Sequence, residues 1–192
     1  MRYALCALLY AQFCHAEYRV KTSKDKKAAV VEDAVQIVTF RVGAEEYGLD
    51  IGAITEVIRP LKITPLPRMP QFIEGVINLR GAIIPVIDLR KRFALEKIVD
   101  NPRTMRMVIT RGAVAGGPDK GLLGLLVDSV HEVLHLRKKD IEPAPQAATG
   151  EFADFITGMG KAGERLIILL DIPKVLSQQE RAALEKAEHG EP

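Results

Sequence analysis

Apolar and polar positions along the chain form short runs of β-branched and aromatic residues that end at turn residues, a pattern typical of β-strands. Residues 36–42 (QIVTFRV) and 46–51 are two such runs, separated by a turn at Gly43. The same arrangement returns at 105–110 and 122–127, with a longer glycine-rich loop between the runs. Each pair of runs predicts a β-hairpin.

The pattern is repeated within the chain, in three blocks that keep the same order. Partner positions lie 76 residues apart in the first block and 83 residues apart in the last, a drift that small loop insertions explain. The repeat predicts two homologous subdomains, at 36–97 and 98–177, with an extension over 1–35 before them and a C-terminal helix and tail over 178–192. Examples of matched positions are Gly48 and Gly124, Glu56 and Glu132, Gly75 and Gly158, and Asp88 and Asp171.

Each predicted subdomain also contains a second hairpin and a Pro-x-Pro segment, which brings the total to about five short strands. That number is enough to close a small barrel, which leaves no open sheet edge. The runs 83–87 and 166–170 are almost continuously apolar, so we expect them to be buried on both faces and to pack between the barrels. The predicted fold class is mainly β, with two tandem five-stranded barrels, short helices and a C-terminal helix.

A short amphipathic helix is predicted after the first hairpin of each subdomain. Ile51, Ile54 and Val57 recur at helical spacing, and the equivalent positions of the second subdomain are also apolar. The second of these helices would contain residues 131–135 (HEVLH), which match the H-E-x-x-H motif of zinc peptidases. In that motif two histidines one helical turn apart bind zinc, and the glutamate activates water.

A zinc peptidase built on His131, Glu132 and His135 is the enzymatic alternative, and the repeat argues against it. The repeat alone accounts for Glu132, and the first-subdomain equivalents of the two histidines are Thr55 and Arg59, which bind no metal. The histidines also lie beside the apolar stripe of the predicted helix, where solvated residues are common. We therefore expect no metal, no other cofactor and no catalytic residue.

The composition narrows the possible functions further. The chain has 192 residues, with 27 Lys and Arg against 25 Asp and Glu, so its net charge is only +2. A nucleic-acid-binding protein would carry a concentrated basic excess, and base stacking would need more aromatic residues than the 5% present. Both cysteines, Cys6 and Cys14, lie in the extension, so the predicted barrels hold no disulfide and no catalytic thiol.

The extension over 1–35 differs from the rest of the chain. Its apolar run at 3–14 is too short to span a bilayer, so no direct membrane insertion is expected. A basic segment follows at 19–27. A dispensable extension is the favoured interpretation, and a signal peptide is the alternative.

Several charged positions of the repeat are candidates for a role. Asp88 and Asp171 each follow an apolar strand, where aspartate commonly caps a helix by accepting backbone N–H bonds. Arg80 stands before Gly81 at a predicted hairpin tip and breaks the repeat, since the equivalent position is Gly163. An exposed arginine of this kind is a candidate binding residue.

The segments 45–51 (EEYGLDI) and 75–89 (GVINLRGAIIPVIDL) resemble the CheW family of bacterial chemotaxis coupling proteins. The blocks 141–145 and 157–160 are similar to the family as well, and the resemblance covers about residues 36–178. It implies one CheW-like domain, made of two SH3-like five-stranded barrels around a shared hydrophobic core. It also implies a non-enzymatic signal-transduction adaptor that links chemoreceptors (methyl-accepting chemotaxis proteins) to the histidine kinase CheA.

The resemblance further implies which surfaces the two partners contact. The partners would be the cytoplasmic tip of a chemoreceptor, which is a helical hairpin, and the regulatory domain of CheA. Such an adaptor would work in the cytoplasm, at receptor arrays on the inner face of the membrane. A double-barrel module for another ligand, such as nucleic acid, is the second alternative. The expected receptor contacts are Arg80, Ile54 and Gly75, and the expected kinase contacts are Glu56, Gly158 and Gly160.

Overall fold

The computed structural model describes residues 33–95, 102–111, 121–144 and 153–189, and the predictions made for residues 1–32 lie outside them. Strands dominate the described part of the chain, so the predicted mainly β class is confirmed. The strands are β1 (Ala34–Val42), β2 (Glu45–Asp50), β3 (Ile54–Ile58), β4 (Ile73–Leu79), β5 (Ala82–Asp88), β6 (Arg106–Arg111), β7 (Leu122–Val127), β8 (Ser129–Arg137), β9 (Ile141–Glu142), β10 (Ile156–Ala162) and β11 (Arg165–Leu170). The α-helices are α1 (Leu89–Arg92), α2 (Ile172–Val175) and α3 (Gln178–His189).

The strands form two sheets. The first sheet has six strands in the order β8-β1-β2-β11-β10-β9, and the second has five in the order β3-β6-β7-β5-β4. Neighbouring strands are antiparallel except for β2 with β11 in the first sheet and β5 with β7 in the second. These two parallel pairs occupy equivalent places, as the sequence repeat requires.

The two halves of the sequence repeat exchange their first hairpins. The hairpin β1–β2 comes from 36–97 but lies in the first sheet, beside strands of 98–177. The hairpin β6–β7 comes from 98–177 and lies in the second sheet, between β3 and β5. The boundary between the two predicted subdomains therefore differs from the boundary between the sheets. Each exchanged hairpin covers an edge that the remaining strands of that sheet would leave open.

Strands stand where the sequence predicted a short amphipathic helix in each half, so that prediction is wrong. After a single 3-10 turn at Ile51–Ala53, β3 pairs with β6, and β8 pairs with β1 in the same way. A β-bulge interrupts the register between Ile54 and Glu56. Because a bulge adds one residue, Ile54 and Val57 contact the same core although they are three positions apart. The bulges thus produce the spacing that resembles a helix.

Apolar side chains form one core between the sheets and one core within each sheet. The core between the sheets contains residues of both, among them Phe40, Leu49, Ile87 and Leu125. The core of the second sheet includes Ile77, Ile84, Met107 and Ile109, and that of the first sheet includes Ile37, Leu136, Ile167 and Leu169. Each sheet therefore curls around its own core, and the sheets share a third.

The helix ends agree in part with the predicted aspartate caps. Asp88 caps α1, since its side chain accepts a hydrogen bond from the Arg90 amide at 2.9 Å. Asp171 stands at the equivalent position of α2, but its side chain makes no capping bond and pairs with Lys174 at 3.2 Å instead. The predicted C-terminal helix is confirmed as α3. Among the described residues, no helix is long and apolar enough to cross a membrane.

Tyr47 gives the core between the sheets a pH dependence that can be measured. Its ring stacks on Phe40 and Phe93, and burial, with a smaller effect of Glu45, raises the pKa of Tyr47 to about 12. A tyrosine in the unfolded chain titrates near 10. The contribution of the neutral Tyr47 phenol to the free energy of unfolding is therefore complete below about pH 10. It is lost as the pH rises toward 12.

We expect Tyr47→Phe to lose less stability than the unsubstituted chain when the pH is raised from 9 to 11.5. The expected difference is about 2 kcal/mol, because only the chain that keeps Tyr47 has a phenol whose ionisation favours unfolding. Urea unfolding of both proteins at the two pH values measures it. An equal fall in both proteins would contradict the assignment to Tyr47.

Candidate functional site

Arg80 and Gly81 are the two central residues of the tight turn between β4 and β5. Both have a positive φ, 55° and 92°, which is the combination found in type I′ hairpin turns. Leu79 and Ala82 pair on either side of the turn, and the Gly81 amide donates to Asn78 Oδ1 at 2.9 Å. The predicted hairpin tip is confirmed, and the Arg80 side chain is 79% exposed there.

Arg80 is held by Glu56, the second charged residue that the sequence singled out. Arg80 Nη2 donates to Glu56 Oε2 at 3.0 Å, and the Glu56 side chain is 23% exposed. The two residues are 24 positions apart, and β3, which carries Glu56, is at the opposite edge of the second sheet from β4. The curl of that sheet brings the two edge strands close enough for this pair.

The other two predicted receptor contacts lie below the surface. Ile54 is 5% exposed and packs in the core between the sheets, and Gly75 is buried within β4. The large exposed apolar side chain near the turn is instead Ile83, which pairs with Asn78 and is 51% exposed. The prediction that Ile83 is buried on both faces is wrong, because β5 is covered on both faces only from Ile84 onward.

Gly75 and Gly158 allow an extended connector to approach a strand closely. A Cβ atom on Gly75 would lie 2.1 Å from the carbonyl oxygen of Thr64, and one on Gly158 would lie 2.6 Å from that of Glu142. The Thr64 connector is tied to β4 by two backbone hydrogen bonds with Val76, of 2.8 and 2.9 Å. Both glycines therefore serve the same contact in the two halves of the repeat.

Gly160 also lies in β10, and its neighbour is a side chain. A Cβ atom there would come within 2.4 Å of Leu136 Cδ1, in the core of the first sheet. Gly158 and Gly160 are both buried, so neither presents a side chain or an exposed backbone to a partner.

Arg165 forms a second arginine–glutamate pair that sequence reasoning missed. It follows the turn between β10 and β11 and donates to Glu132 at 2.7 Å and to Glu46 at 3.3 Å. The hydrogen bond to Glu132 is the main cause that raises the pKa of Arg165. Glu132 is the repeat partner of Glu56, so the two halves share the pair although Arg165 is two positions beyond the repeat equivalent of Arg80.

Leu166 completes the likeness between the two halves. It is 50% exposed, as Ile83 is in the first half, so the prediction that it is buried on both faces is also wrong. Each half therefore presents an arginine near a hairpin tip, a glutamate that holds it and an exposed aliphatic side chain.

The H-E-x-x-H segment lies on β8 and not on a helix. His131 and His135 are four steps apart along the strand, about 13 Å, whereas two ligands of one zinc ion each lie about 2 Å from the metal. His131 contacts Ser129 Oγ at 2.9 Å and Glu46, and His135 contacts Gln36 at 2.7 Å. Within the described ranges, no group of three His, Cys, Asp or Glu side chains is placed to hold a metal ion.

A buried ion network joins the two sheets, and no pattern in the sequence predicted it. Arg90 follows β5 in α1 and is 4% exposed. It donates to both carboxylate oxygens of Asp88, at 2.9 and 2.7 Å, and to Asp128 Oδ1 at 3.0 Å. Asp128 also accepts from the amide of Gly43, in the turn between β1 and β2, at 2.7 Å. The hydrogen bond with Asp88 is the main cause that raises the pKa of Arg90.

Two curled sheets around a shared core, each with an arginine–glutamate pair beside a hairpin turn, define a double-barrel scaffold. Residues 36–180 match the CheW-like domain family. The chemotaxis protein CheW of Klebsiella aerogenes is 38% identical over 150 residues, which are 78% of this chain and 86% of that protein. The CheW of Treponema pallidum is 34% identical over 152 residues, 79% of this chain and 88% of that protein.

A solved structure agrees with the same assignment. The scaffolding protein TtCheW from Thermoanaerobacter tengcongensis has a TM-score of 0.67 and 38% identity, covering 77% of this chain and 95% of that one. The chain belongs to the CheW family. It is a non-enzymatic chemotaxis adaptor that couples receptors to CheA, which confirms the function predicted from the sequence.

Proposed function

We propose that Arg80 and Ile83 contact the cytoplasmic tip of a chemoreceptor; together with Glu56, which holds Arg80, they are called the Arg80 surface. The observation that supports this is the exposed guanidinium of Arg80, held 3.0 Å from Glu56 at a tight turn. Ile83 supplies an exposed apolar side chain three positions along the chain from Arg80. An amphipathic helix binds through both kinds of contact, an apolar stripe and a charged rim. Ile54 and Gly75 support this surface from beneath by packing.

The regulatory domain of CheA is the proposed second partner, with Glu56 as its contact. Because Glu56 pairs with Arg80, binding of one partner would free the residue that the other partner contacts. A receptor carboxylate that binds Arg80 releases Glu56 for the kinase, which gives a direct route for coupling between the two sites. Gly158 and Gly160 would support kinase binding indirectly, because they let β9 and the core of the first sheet pack closely against β10. Both partners place the chain in the cytoplasm.

Arg80→Ala is expected to weaken binding of a receptor-tip fragment about tenfold or more, because an anchoring arginine is lost from an otherwise unchanged surface. Since the side chain is 79% exposed, the thermal melting of the variant should stay close to that of the unsubstituted chain. Binding of the CheA regulatory domain should change by less than about threefold. Calorimetric titration with each partner measures both affinities.

Glu56→Ala and Arg165→Ala complete this experiment. Glu56→Ala should have the opposite effect to Arg80→Ala: it should weaken binding of the CheA regulatory domain more than binding of the receptor-tip fragment. Arg165→Ala is the matched control, because it removes an arginine with an equivalent glutamate partner on the other sheet. A folded Arg80→Ala variant that binds the receptor fragment with unchanged affinity would rule out the assignment of Arg80.

A further inference from the structure

The backbone of Arg80 has a conformation that an arginine rarely adopts. Its φ of 55° lies in the left-handed region, where the Cβ atom of an L-residue crowds the following carbonyl oxygen. Three non-glycine residues in the described ranges have a positive φ, and Arg80 is the one that lies between two paired strands. A residue stays in this region only where neighbouring groups hold it there. Some group beside the turn must therefore hold Arg80.

Asn78 is the group that holds the turn. Its Oδ1 accepts a hydrogen bond of 2.9 Å from the amide of Gly81, the second central residue of the turn. A two-residue turn leaves the amides of its central residues outside the ladder of hydrogen bonds between the strands, so the side chain supplies a partner that the ladder does not. Asn78 itself pairs with Ile83 in that ladder. The bond therefore ties the turn to the paired strands on either side of it.

The equivalent turn in the other half of the repeat, between β10 and β11, is built without either feature. Its first central residue is Gly163, with a φ of 65°, and Glu164 after it does not have a positive φ, which is the combination of a type II′ turn. Glycine adopts this conformation without a steric cost. The position equivalent to Asn78 is Lys161, which pairs with Glu142 at 2.6 Å and has no acceptor atom for a turn amide. An asparagine acceptor and a strained arginine thus occur together in one half and are both absent from the other.

We infer that Asn78 is a positioning residue for receptor binding, which acts by holding Arg80 in the conformation that binds. This inference rests on the proposed receptor contact of Arg80. Without the hydrogen bond to Asn78, the turn can relax to conformations in which Arg80 has a negative φ. The direction of its side chain then changes, and the guanidinium leaves its place 3.0 Å from Glu56. A receptor that binds Arg80 must then also restore the turn, and the free energy spent on that ordering is lost from binding.

The test is a calorimetric titration of the full chain with a receptor-tip fragment, well below the melting temperature of each variant. Asn78→Ala should weaken binding about fivefold, because the turn is no longer held in the binding conformation. Asn78→Asp keeps an acceptor oxygen at the same place and should bind within about twofold of the unsubstituted chain. Lys161→Ala is the matched control, since it removes the exposed side chain at the equivalent position of the other half, and it should change the affinity by less than about 1.5-fold.

A double-mutant cycle separates positioning from direct contact. In a chain that already carries Arg80→Ala, adding Asn78→Ala should change the affinity by less than about 1.5-fold, because Asn78 acts only through the side chain that has been removed. If Asn78 contacted the receptor itself, its loss would weaken binding equally with and without Arg80, and the positioning role would be wrong.

The remaining outcomes distinguish this inference from the proposed function. Unchanged binding in Arg80→Ala would reject the receptor contact itself. Weak binding in Arg80→Ala together with normal binding in Asn78→Ala would keep the contact and reject the positioning role. An equal loss in Asn78→Ala and Lys161→Ala would also reject it, because the effect would then not depend on the turn that carries Arg80.

Discussion

Replacing Arg90 with methionine is expected to lower the free energy of unfolding by about 3–5 kcal/mol. The substitution leaves Asp88 and Asp128 buried with no cation between them; their side chains are 4% and 8% exposed. The intact network combines one cation with two carboxylates, and the amides of Gly43 and Arg90 satisfy further lone pairs. Removing the cation leaves carboxylates that repel each other where water cannot screen them. Urea unfolding measures the loss.

Lys91→Met is the matched control for this experiment. Lys91 is the next residue, carries the same charge and pairs with Glu74, but its side chain is 42% exposed. Its loss should cost less than about 1 kcal/mol, as for other surface ion pairs. Adding Asp88→Asn and Asp128→Asn to Arg90→Met should recover part of the lost stability, because the buried like charges are then gone. A single Arg90→Met variant as stable as the control would contradict the buried network.

Replacing Gly75 with alanine is expected to lower the free energy of unfolding by about 3 kcal/mol or more. Two costs add at this position. The φ of Gly75 is +137°, which side chains of L-residues rarely adopt, and the new Cβ would lie 2.1 Å from the carbonyl oxygen of Thr64. The neighbour is backbone, held by its own hydrogen bonds to Val76, so it cannot turn aside as a side chain can. Thermal and urea unfolding measure the effect.

Two other glycines separate these costs. Gly81 has a φ of +92°, but a Cβ added there would meet nothing within 4 Å, so Gly81→Ala measures backbone strain alone, about 1–2 kcal/mol. Gly158 has the backbone contact, 2.6 Å to the Glu142 oxygen, without a positive φ. The loss in Gly75→Ala should exceed that of either control. If Gly75→Ala is as stable as Gly81→Ala, the close approach of the connector is not a constraint.

These glycine variants also separate two roles that the sequence could not distinguish. The resemblance implied a direct partner contact at Gly75 and Gly158. Because both are buried against a connector, any loss of binding in their variants should accompany a loss of stability. Arg80→Ala should lose binding alone. The comparison of melting and binding across the three variants therefore tells a supporting residue from a contact residue.

The strands, the hairpin tip at Arg80 and the cap at Asp88 followed from local patterns, because strand periodicity and turn preference are properties of neighbouring residues. The helix predicted over Ile54 and Val57 failed for a specific reason. A bulge places residues three apart on one face, as a helix does, and the bulge is set by the pairing of β3 with β6. A pattern within one segment cannot reveal its partner strand.

The candidate site was predictable only in part for the same reason. Arg80 and Glu56 were both singled out, but nothing in the sequence pairs them across 24 positions. Arg165 was missed because the repeat equivalent of Arg80 is Gly163, two positions before Arg165. The glutamate that Arg165 contacts is 33 positions away along the chain. Ile83 and Leu166 were judged buried from the apolar runs around them. Both are the second residue of a strand that begins at a hairpin turn, where the strand is not yet covered on both faces.

The amino-acid sequence was enough to establish that the chain is mainly β, that its strands come in two homologous sets and that an exposed arginine stands at a hairpin tip. These features depend on local propensity and on a repeat that can be read along the chain. Three other features emerged only from the folded arrangement: the exchange of the first hairpins, the burial of Arg90 between Asp88 and Asp128, and the pairing of Arg80 with Glu56. Burial and charge pairing depend on distances in space between residues that are far apart in sequence, and no local pattern encodes those distances.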